Sequence, residues 1–175
     1  IYGYSGGSWT KLGQDINGEA INDYSGRSVS LSSDGSTVAI GAYGNDGLNG
    51  SDSGHVRIYR YLVSSWTKLG DDIDGEAAGD YSGYSVSLSS DGSTVAIGAH
   101  ANSGHVRIFG YSGGSWTKLG DDIDGEAASD QSGRSVSLSS DGSTVAIGAA
   151  GNDGNGGDSG HVRIFGYSGN SWTQL

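Results

Sequence analysis

A segment of fifteen residues, SVSLSSDGSTVAIGA, occurs three times in this chain without a single substitution. The copies are residues 28–42, 85–99 and 135–149. Each copy alternates apolar and polar residues on both sides of an Asp-Gly pair, a pattern that predicts two antiparallel β-strands joined by a tight turn. The fold must therefore accommodate the same β-hairpin three times.

The rest of each repeat predicts two further strands. A segment containing Gly-His-Val-Arg-Ile follows each hairpin, and after a turn rich in Gly and Ser comes a segment that begins Ser-Trp-Thr. We name the four predicted strands of a repeat A, B, C and D. The repeat length is read from the tryptophans, which are 57, 50 and 56 residues apart: Trp9, Trp66, Trp116 and Trp172. Four short antiparallel strands per repeat, without helical periodicity, are typical of a β-propeller blade.

We therefore expect an all-β fold of propeller-type, four-stranded antiparallel blades, with three full repeats and an N-terminal partial one, in an open arc. Strand B alternates large residues (Val38, Ile40) with small ones (Ala39, Gly41), so the large face of one blade can pack on the small face of its neighbour. The expected single array consists of a partial blade at 1–12, blade 1 at 24–69, blade 2 at 81–119, blade 3 at 131–175, and acidic connecting loops at 13–23, 70–80 and 120–130.

Composition excludes several classes of protein. The chain has no Cys, which rules out disulfides and thiolate chemistry. It has no apolar run near the 18 residues that a membrane span needs. A net charge of −11 with only three lysines argues against binding to nucleic acid, whose phosphates attract Lys and Arg. The chain also lacks Met and begins at Ile1, as a processed chain or an excerpt from a longer one would.

Residues such as SGRSVSLSSDGSTVAIGA followed by GHVRIY resemble the FG-GAP repeat of integrin α-subunit propellers and of secreted microbial and algal proteins. The resemblance implies a propeller outside the cell or at its surface, with an adhesive or structural role. The chain departs from the family at Ser25-Gly26, where Phe-Gly is usual, and after Ala42, where Pro is usual. In the family a calcium loop with several carboxylates joins strands A and B, but here that connection has only one, Asp34, so the resemblance predicts that the family's calcium site is lost at this loop.

The acidic residues concentrate at one predicted end of the blades. The D-to-A segments and B-to-C loops meet at that end and together hold 17 of the 20 carboxylates. The simplest interpretation is solvated loop charge, and the alternatives are docking of a basic partner or weak binding of calcium by the oxygen-rich loops. No cofactor is required by the pattern. The candidate calcium ligands are Asp46, Asn49, Asp52, Asp72, Asp74, Asp122, Asp124, Asp153 and Asp158.

Other candidate residues favour structural roles. His55, His105 and His161 recur at the start of strand C, and a catalytic residue rarely repeats in every blade. The tryptophans are expected to pack at blade edges, with sugar stacking as the alternative. No Gly-x-Ser-x-Gly sequence is present, so we predict no enzyme. Asn49 begins an Asn-Gly-Ser sequon and is a candidate for N-glycosylation in a protein secreted by a eukaryote.

Three and a half blades cannot close a ring, and open sheet edges invite pairing with another chain. We therefore expect a non-enzymatic extracellular structural or adhesive protein. Its partners would be copies of itself, in a ring or a filament, or further repeats of a longer chain. The alternative is a ligand-binding module whose acidic end takes a carbohydrate, a divalent cation or an extracellular protein.

Overall fold

The computed structural model describes residues 1–101 and 103–175, which form sixteen β-strands and no helix. The first two strands form a separate hairpin, the partial blade: β1 (Tyr2–Ser5) and β2 (Ser8–Lys11). Blade 1 contains β3 (Ser28–Leu31), β4 (Thr37–Ala42), β5 (His55–Leu62), β6 (Ser65–Lys68) and β7 (Ile73–Asp74). Blade 2 contains β8 (Ser85–Leu88), β9 (Thr94–Ala99), β10 (His105–Ser112), β11 (Ser115–Lys118) and β12 (Ile123–Asp124). Blade 3 contains β13 (Ser132–Leu138), β14 (Thr144–Ala149), β15 (His161–Ser168) and β16 (Ser171–Gln174).

Each full blade is an antiparallel sheet whose strands follow one another in chain order. In blade 1 the order is β3, β4, β5, β6, which are the predicted strands A to D. The prediction of propeller-type, four-stranded blades is confirmed. The short strands β7 and β12 lie within the segments expected to be connecting loops, and each pairs with the first half of its strand C. Strand D of blades 1 and 2 is thus followed by a second short strand on the same edge.

The turn between strands A and B is held by its aspartate. In blade 1, Asp34 Oδ1 accepts hydrogen bonds from Ser32 Oγ (2.7 Å) and the Ser36 amide (2.9 Å). Ser32 Oγ in turn accepts a hydrogen bond from the Thr37 amide. Equivalent bonds form around Asp91 and Asp141. The identical sequence therefore closes an identical turn in each blade.

The hydrophobic core lies between the blades. Ala39 of blade 1 belongs to the same buried cluster as Val95 and Ile97 of blade 2. Ala96 of blade 2 packs in the same way with Val145 and Ile147 of blade 3. The predicted packing of a large face on a small one is confirmed. A blade of this kind buries its apolar residues only against a neighbouring blade.

Neighbouring blades also contact one another at strand A. Ser30 Oγ of β3 accepts a hydrogen bond from the Leu88 amide of β8 at 2.9 Å, and Ser87 Oγ accepts one from the Leu138 amide at 2.9 Å. Ser28 Oγ donates to the Gly83 carbonyl at 2.7 Å. At Gly41 the backbone of one blade approaches the Gly83 carbonyl so closely that no side chain would fit. The serines of strand A thus join neighbouring blades.

Candidate functional site

The strand order places the B-to-C loops and the D-to-A segments at one end of the blades, which we call the acidic end. In blade 1 these two segments surround an open cavity of about 670 Å³. Five carboxylates line it, against one lysine. The cavity residues are Glu19, Asn45, Asp46, Gly47, Leu48, His55, Lys68, Asp71, Asp72 and Asp74.

Arginine and glutamate join the blades at this end. Arg57 of β5 donates to the Asn17 carbonyl at 2.8 Å, and its guanidinium lies 3.2 Å from Glu19 Oε1. Arg107 of β10 repeats both contacts, with the Asp74 carbonyl and with Glu76. These arginines are buried and bridge to the segment before their own blade, so the glutamates facing them are partly neutralised.

The predicted calcium ligands fall into three separate places. Asp46, Asp72 and Asp74 line the cavity of blade 1. Asp122 and Asp124 line a smaller cavity of about 210 Å³ beside Arg163. Five of the nine residues take part in three hydrogen bonds that hold the loops: Asn49 Nδ2 donates to the Gly75 carbonyl, the Asp52 amide donates to Asp46 Oδ1, and the Asp158 amide donates to Asp153 Oδ1.

The histidine at the start of strand C lies near carboxylates. Ligand atoms of Glu19, His55 and Asp72 all lie within 4.8 Å of one another, as do those of Glu126, Asp130 and His161. Burial lowers the pKa of His55, so the imidazole is neutral near pH 7. In the first group, however, Asp72 pairs with Lys68 Nζ at 2.9 Å and Glu19 pairs with Arg57. Both carboxylates therefore already have cationic partners.

The tryptophans of the full blades pack between blades. The Nε1 groups of Trp66, Trp116 and Trp172 donate to the carbonyls of Leu12, Leu69 and Leu119, at 2.7 to 2.8 Å. Each ring also packs on a tyrosine of its own blade. Trp9 of the partial blade is 68% exposed.

Sequence reasoning missed an aromatic cluster where the strands A begin. Tyr43 stacks on Tyr24 at 5.1 Å, and Tyr84 lies 3.9 Å from the His100 ring. Arg27 lies over the Tyr84 ring and donates to its hydroxyl at 2.9 Å. Two departures from the repeat indicate this cluster in the sequence. Tyr84 stands where the other repeats have Arg, and His100 stands where they have Tyr or Ala.

The B-to-C loop of blade 1, which the sequence predicts as an oxygen-rich candidate for calcium binding, also brings uncharged oxygen donors to the cavity. Asn45 lines the cavity and Ser53 is fully buried beneath it. Burial raises the pKa of Asp74, with the carboxylate of Asp72 acting in the same direction. Around Gly47, the side-chain amide oxygen of Asn45 and the hydroxyl of Ser53 accompany Asp74 Oδ1.

Two segments of the chain match a known repeat family. The FG-GAP repeat family matches residues 17–59 and 123–165. No curated protein sequence matches the chain. Within the described residues, no helix has the length and apolar character of a membrane span.

Solved structures share the fold at low sequence identity. Hydrazine synthase of Kuenenia stuttgartiensis has a TM-score of 0.56 at 14% identity, covering 92% of this chain and 38% of that one. Sqt1 of Saccharomyces cerevisiae has a TM-score of 0.58 at 14% identity, covering 89% of this chain and 35% of its own. A putative 6-phosphogluconolactonase of Bacteroides fragilis has a TM-score of 0.53 at 16% identity, covering 84% and 36%. The chain thus spans little more than a third of these structures, and the likeness concerns the fold alone.

Proposed function

Because this chain carries FG-GAP repeats folded as propeller-type blades, we propose that it is a non-enzymatic, extracellular structural or adhesive protein whose blades associate with further blades. Those blades belong either to a second copy, in a ring or filament, or to further repeats of a longer chain.

The observation that carries this proposal is the outer face of blade 3. Val162 and Ile164 of β15 are 66% and 45% exposed. The same residues of blade 2, Val106 and Ile108, are 0% and 1% exposed because blade 3 covers them. Because the same interface joins blades 1 and 2 and blades 2 and 3, the uncovered face is complementary to the face of another blade that carries the large residues of strands A and B.

The outer face of blade 1 supports the same conclusion. Val29 and Leu31 of β3 are 63% and 50% exposed, whereas Leu88 and Leu138, the equivalents of Leu31, are buried. The partial blade covers only part of this face and leaves a largely apolar cavity of about 300 Å³ between Ile1 and β3. Exposed apolar faces of this kind favour association.

The absence of an enzyme function is supported by how the polar residues are used. The serines of strand A, the arginines of strand C and the tryptophans of strand D make the same contacts between blades in successive repeats. Side chains that hold blades together are not free for chemistry. The neighbour from Bacteroides fragilis is a putative 6-phosphogluconolactonase, but at 16% identity its likeness concerns the fold alone.

Sedimentation velocity over a wide range of protein concentration tests the association. We expect oligomers of the 175-residue chain, and we expect the double variant Val162→Asp, Ile164→Asp to be monomeric because it charges the outer face of blade 3. Val63→Asp is the matched control, since Val63 is fully exposed at a turn away from that face. A wild-type chain that stays monomeric at every concentration, or oligomers unaffected by the double variant, would contradict self-association through this face.

A second candidate function is favoured by the cavity at the acidic end of blade 1. Its five carboxylates and open form suit a cation-dependent ligand or a carbohydrate. Calorimetry with calcium chloride and a glycan array probed with and without calcium test this alternative. Saturable binding would support it, and no signal in either assay would exclude it.

A further inference from the structure

Three side-chain oxygens of blade 1 lie around the open space in front of Gly47. A methyl group placed on the Gly47 Cα would lie 3.1 Å from Ser53 Oγ, 3.2 Å from Asp74 Oδ1 and 3.4 Å from Asn45 Oδ1. Asn45 and Ser53 come from the B-to-C loop, and Asp74 ends strand β7. Gly47 leaves the space between these oxygens free of any side chain.

Ser53 gives an independent indication that this space binds something. The residue is 0% exposed, and its Oγ has no hydrogen-bond partner among the described protein atoms. A buried hydroxyl without a partner is unfavourable, and native proteins rarely leave one. Of the three oxygens, Ser53 Oγ would lie closest to a methyl group on Gly47. A ligand that is bound by this hydroxyl oxygen would give the group a partner and remove the unfavourable free energy.

The chemistry of the donor set identifies the ligand. A carboxylate, a side-chain amide oxygen and a hydroxyl are hard oxygen donors, which calcium prefers and which soft metals do not. Asn45, Gly47 and Asp74 also line the open cavity, so solvent reaches this space. Glu19, Asp46 and Asp72 line the same cavity and add negative potential, against the single charge of Lys68. A hard divalent cation fits this environment.

The other blades lack this arrangement and serve as internal comparisons. Blade 3 repeats Asn-Asp-Gly at residues 152–154, but a methyl group on Gly154 would approach Asn152 Oδ1 alone. Ser159, the counterpart of Ser53, is exposed and donates to the Asn152 carbonyl at 3.1 Å. Blade 2 has Asp124 in the place of Asp74, but its B-to-C loop is seven residues shorter than that of blade 1. Among the described residues, only blade 1 brings the three donor types together.

We propose that Asn45 Oδ1, Ser53 Oγ and Asp74 Oδ1 form a calcium site that joins the B-to-C loop of blade 1 to strand β7. The site deepens, and rests on, the second candidate function, binding by the acidic end. It lies outside the connection between strands A and B, where the resemblance to integrin propellers would place calcium. Two of its three ligands are not aspartates.

Isothermal titration of the 175-residue chain with calcium chloride, after removal of metal with a chelator, tests the site. Gly47→Ala puts a methyl group among the three oxygens without changing any charge, and Gly154→Ala is the same change in blade 3. Neither glycine has a positive φ, so the backbone tolerates alanine at both positions. We expect Gly47→Ala to weaken calcium binding at least tenfold and Gly154→Ala to leave it within twofold.

A second pair of variants tests the charged ligand. Asp74→Asn should weaken calcium binding at least tenfold, whereas Asp124→Asn, the equivalent change in blade 2, removes the same net charge and should leave the affinity within twofold. If Gly47→Ala perturbs the circular dichroism spectrum, Ser53→Ala replaces it as the uncharged variant. Titration with magnesium chloride should give weaker binding, because magnesium gives up its water reluctantly.

The outcomes separate this site from the broader proposal. Saturable calcium binding that Gly47→Ala and Asp74→Asn leave unchanged would place the ion elsewhere at the acidic end. That result would overturn the site but not the second candidate function. A wild-type chain that binds no calcium would overturn both.

Discussion

At the scale of single residues, the indole of strand D is the most regular link between blades. Trp116 of blade 2 donates to the Leu69 carbonyl of the preceding segment at 2.7 Å, and Gly70 lies beneath its ring with a φ of +77°. This positive φ turns the chain so that the Leu69 carbonyl faces the indole, a conformation that glycine adopts without strain. The tryptophan thus combines apolar burial with one directed hydrogen bond.

Replacing Trp116 by Phe should remove that hydrogen bond and leave the Leu69 carbonyl without its partner. We expect the free energy of unfolding to fall by about 1–3 kcal/mol, measured by urea denaturation. Trp9→Phe is the control, because Trp9 is largely exposed and donates to no carbonyl in the described structure. Equal destabilisation by the two substitutions would show that the hydrogen bond contributes little.

Some features of single residues can be predicted from the repeat, and others cannot. The alternation of Val38 and Ile40 with Ala39 predicts how neighbouring blades pack, because the pattern is local and occurs three times. The convergence of Asn45, Ser53 and Asp74 depends on how a loop folds back beneath a distant segment. No spacing in the sequence contains that information, and Asp74 alone of the three was anticipated as a ligand.

At the scale of elements, the hairpin between strands A and B carries its own stabilising charge. Hydrogen bonds from the Ser36 amide and from the hydroxyls of Ser32 and Ser36 lower the pKa of Asp34 to about 2. The same bonds lower the pKa of Asp141 to about 2 and also lower that of Asp91. The three aspartates stabilise their turns only when they are ionised, because a protonated carboxyl group accepts these hydrogen bonds poorly.

This effect predicts the acid response of the hairpins. A carboxyl whose pKa is lower in the folded chain stabilises it fully above the ordinary value near 4, and this stabilisation is lost as the pH falls toward about 2. We expect the triple variant Asp34→Asn, Asp91→Asn, Asp141→Asn to be less stable than the wild type at pH 7 and to lose less stability on acidification. Urea denaturation at pH 7, 4 and 2.5 measures how the free energy of unfolding of each protein depends on pH. The same dependence in the wild type and the triple variant would refute the role of the turns.

Strands β7 and β12 could not be predicted from the sequence pattern. Each is two residues long, so neither Ile73–Asp74 nor Ile123–Asp124 contains enough alternation to predict a strand. They are strands because β5 and β10 continue past strand D and offer free edges for pairing. The edge that β7 occupies is also the edge that brings Asp74 to the cavity.

At the scale of the whole molecule, the array behaves as a series of interfaces. The core clusters join blade 1 to blade 2 and blade 2 to blade 3 through the same residue types. The stability of such arrays is close to a sum over units and their nearest-neighbour contacts. The contribution of a residue is therefore set by the position of its blade in the array as well as by its place in the repeat.

Ile108 and Ile164 test this principle, because they occupy the same place in strand C of blades 2 and 3. Ile108 is 1% exposed beneath blade 3, whereas Ile164 is 45% exposed. Ile108→Ala should lower the free energy of unfolding by about 2–5 kcal/mol at every protein concentration. Ile164→Ala should cost no more than about 1 kcal/mol in dilute solution.

If a second copy covers the outer face of blade 3, the cost of Ile164→Ala should rise toward that of Ile108→Ala as the concentration increases. Urea denaturation at several protein concentrations measures both costs. A cost for Ile164→Ala that stays small at every concentration would mean that no second copy covers this face.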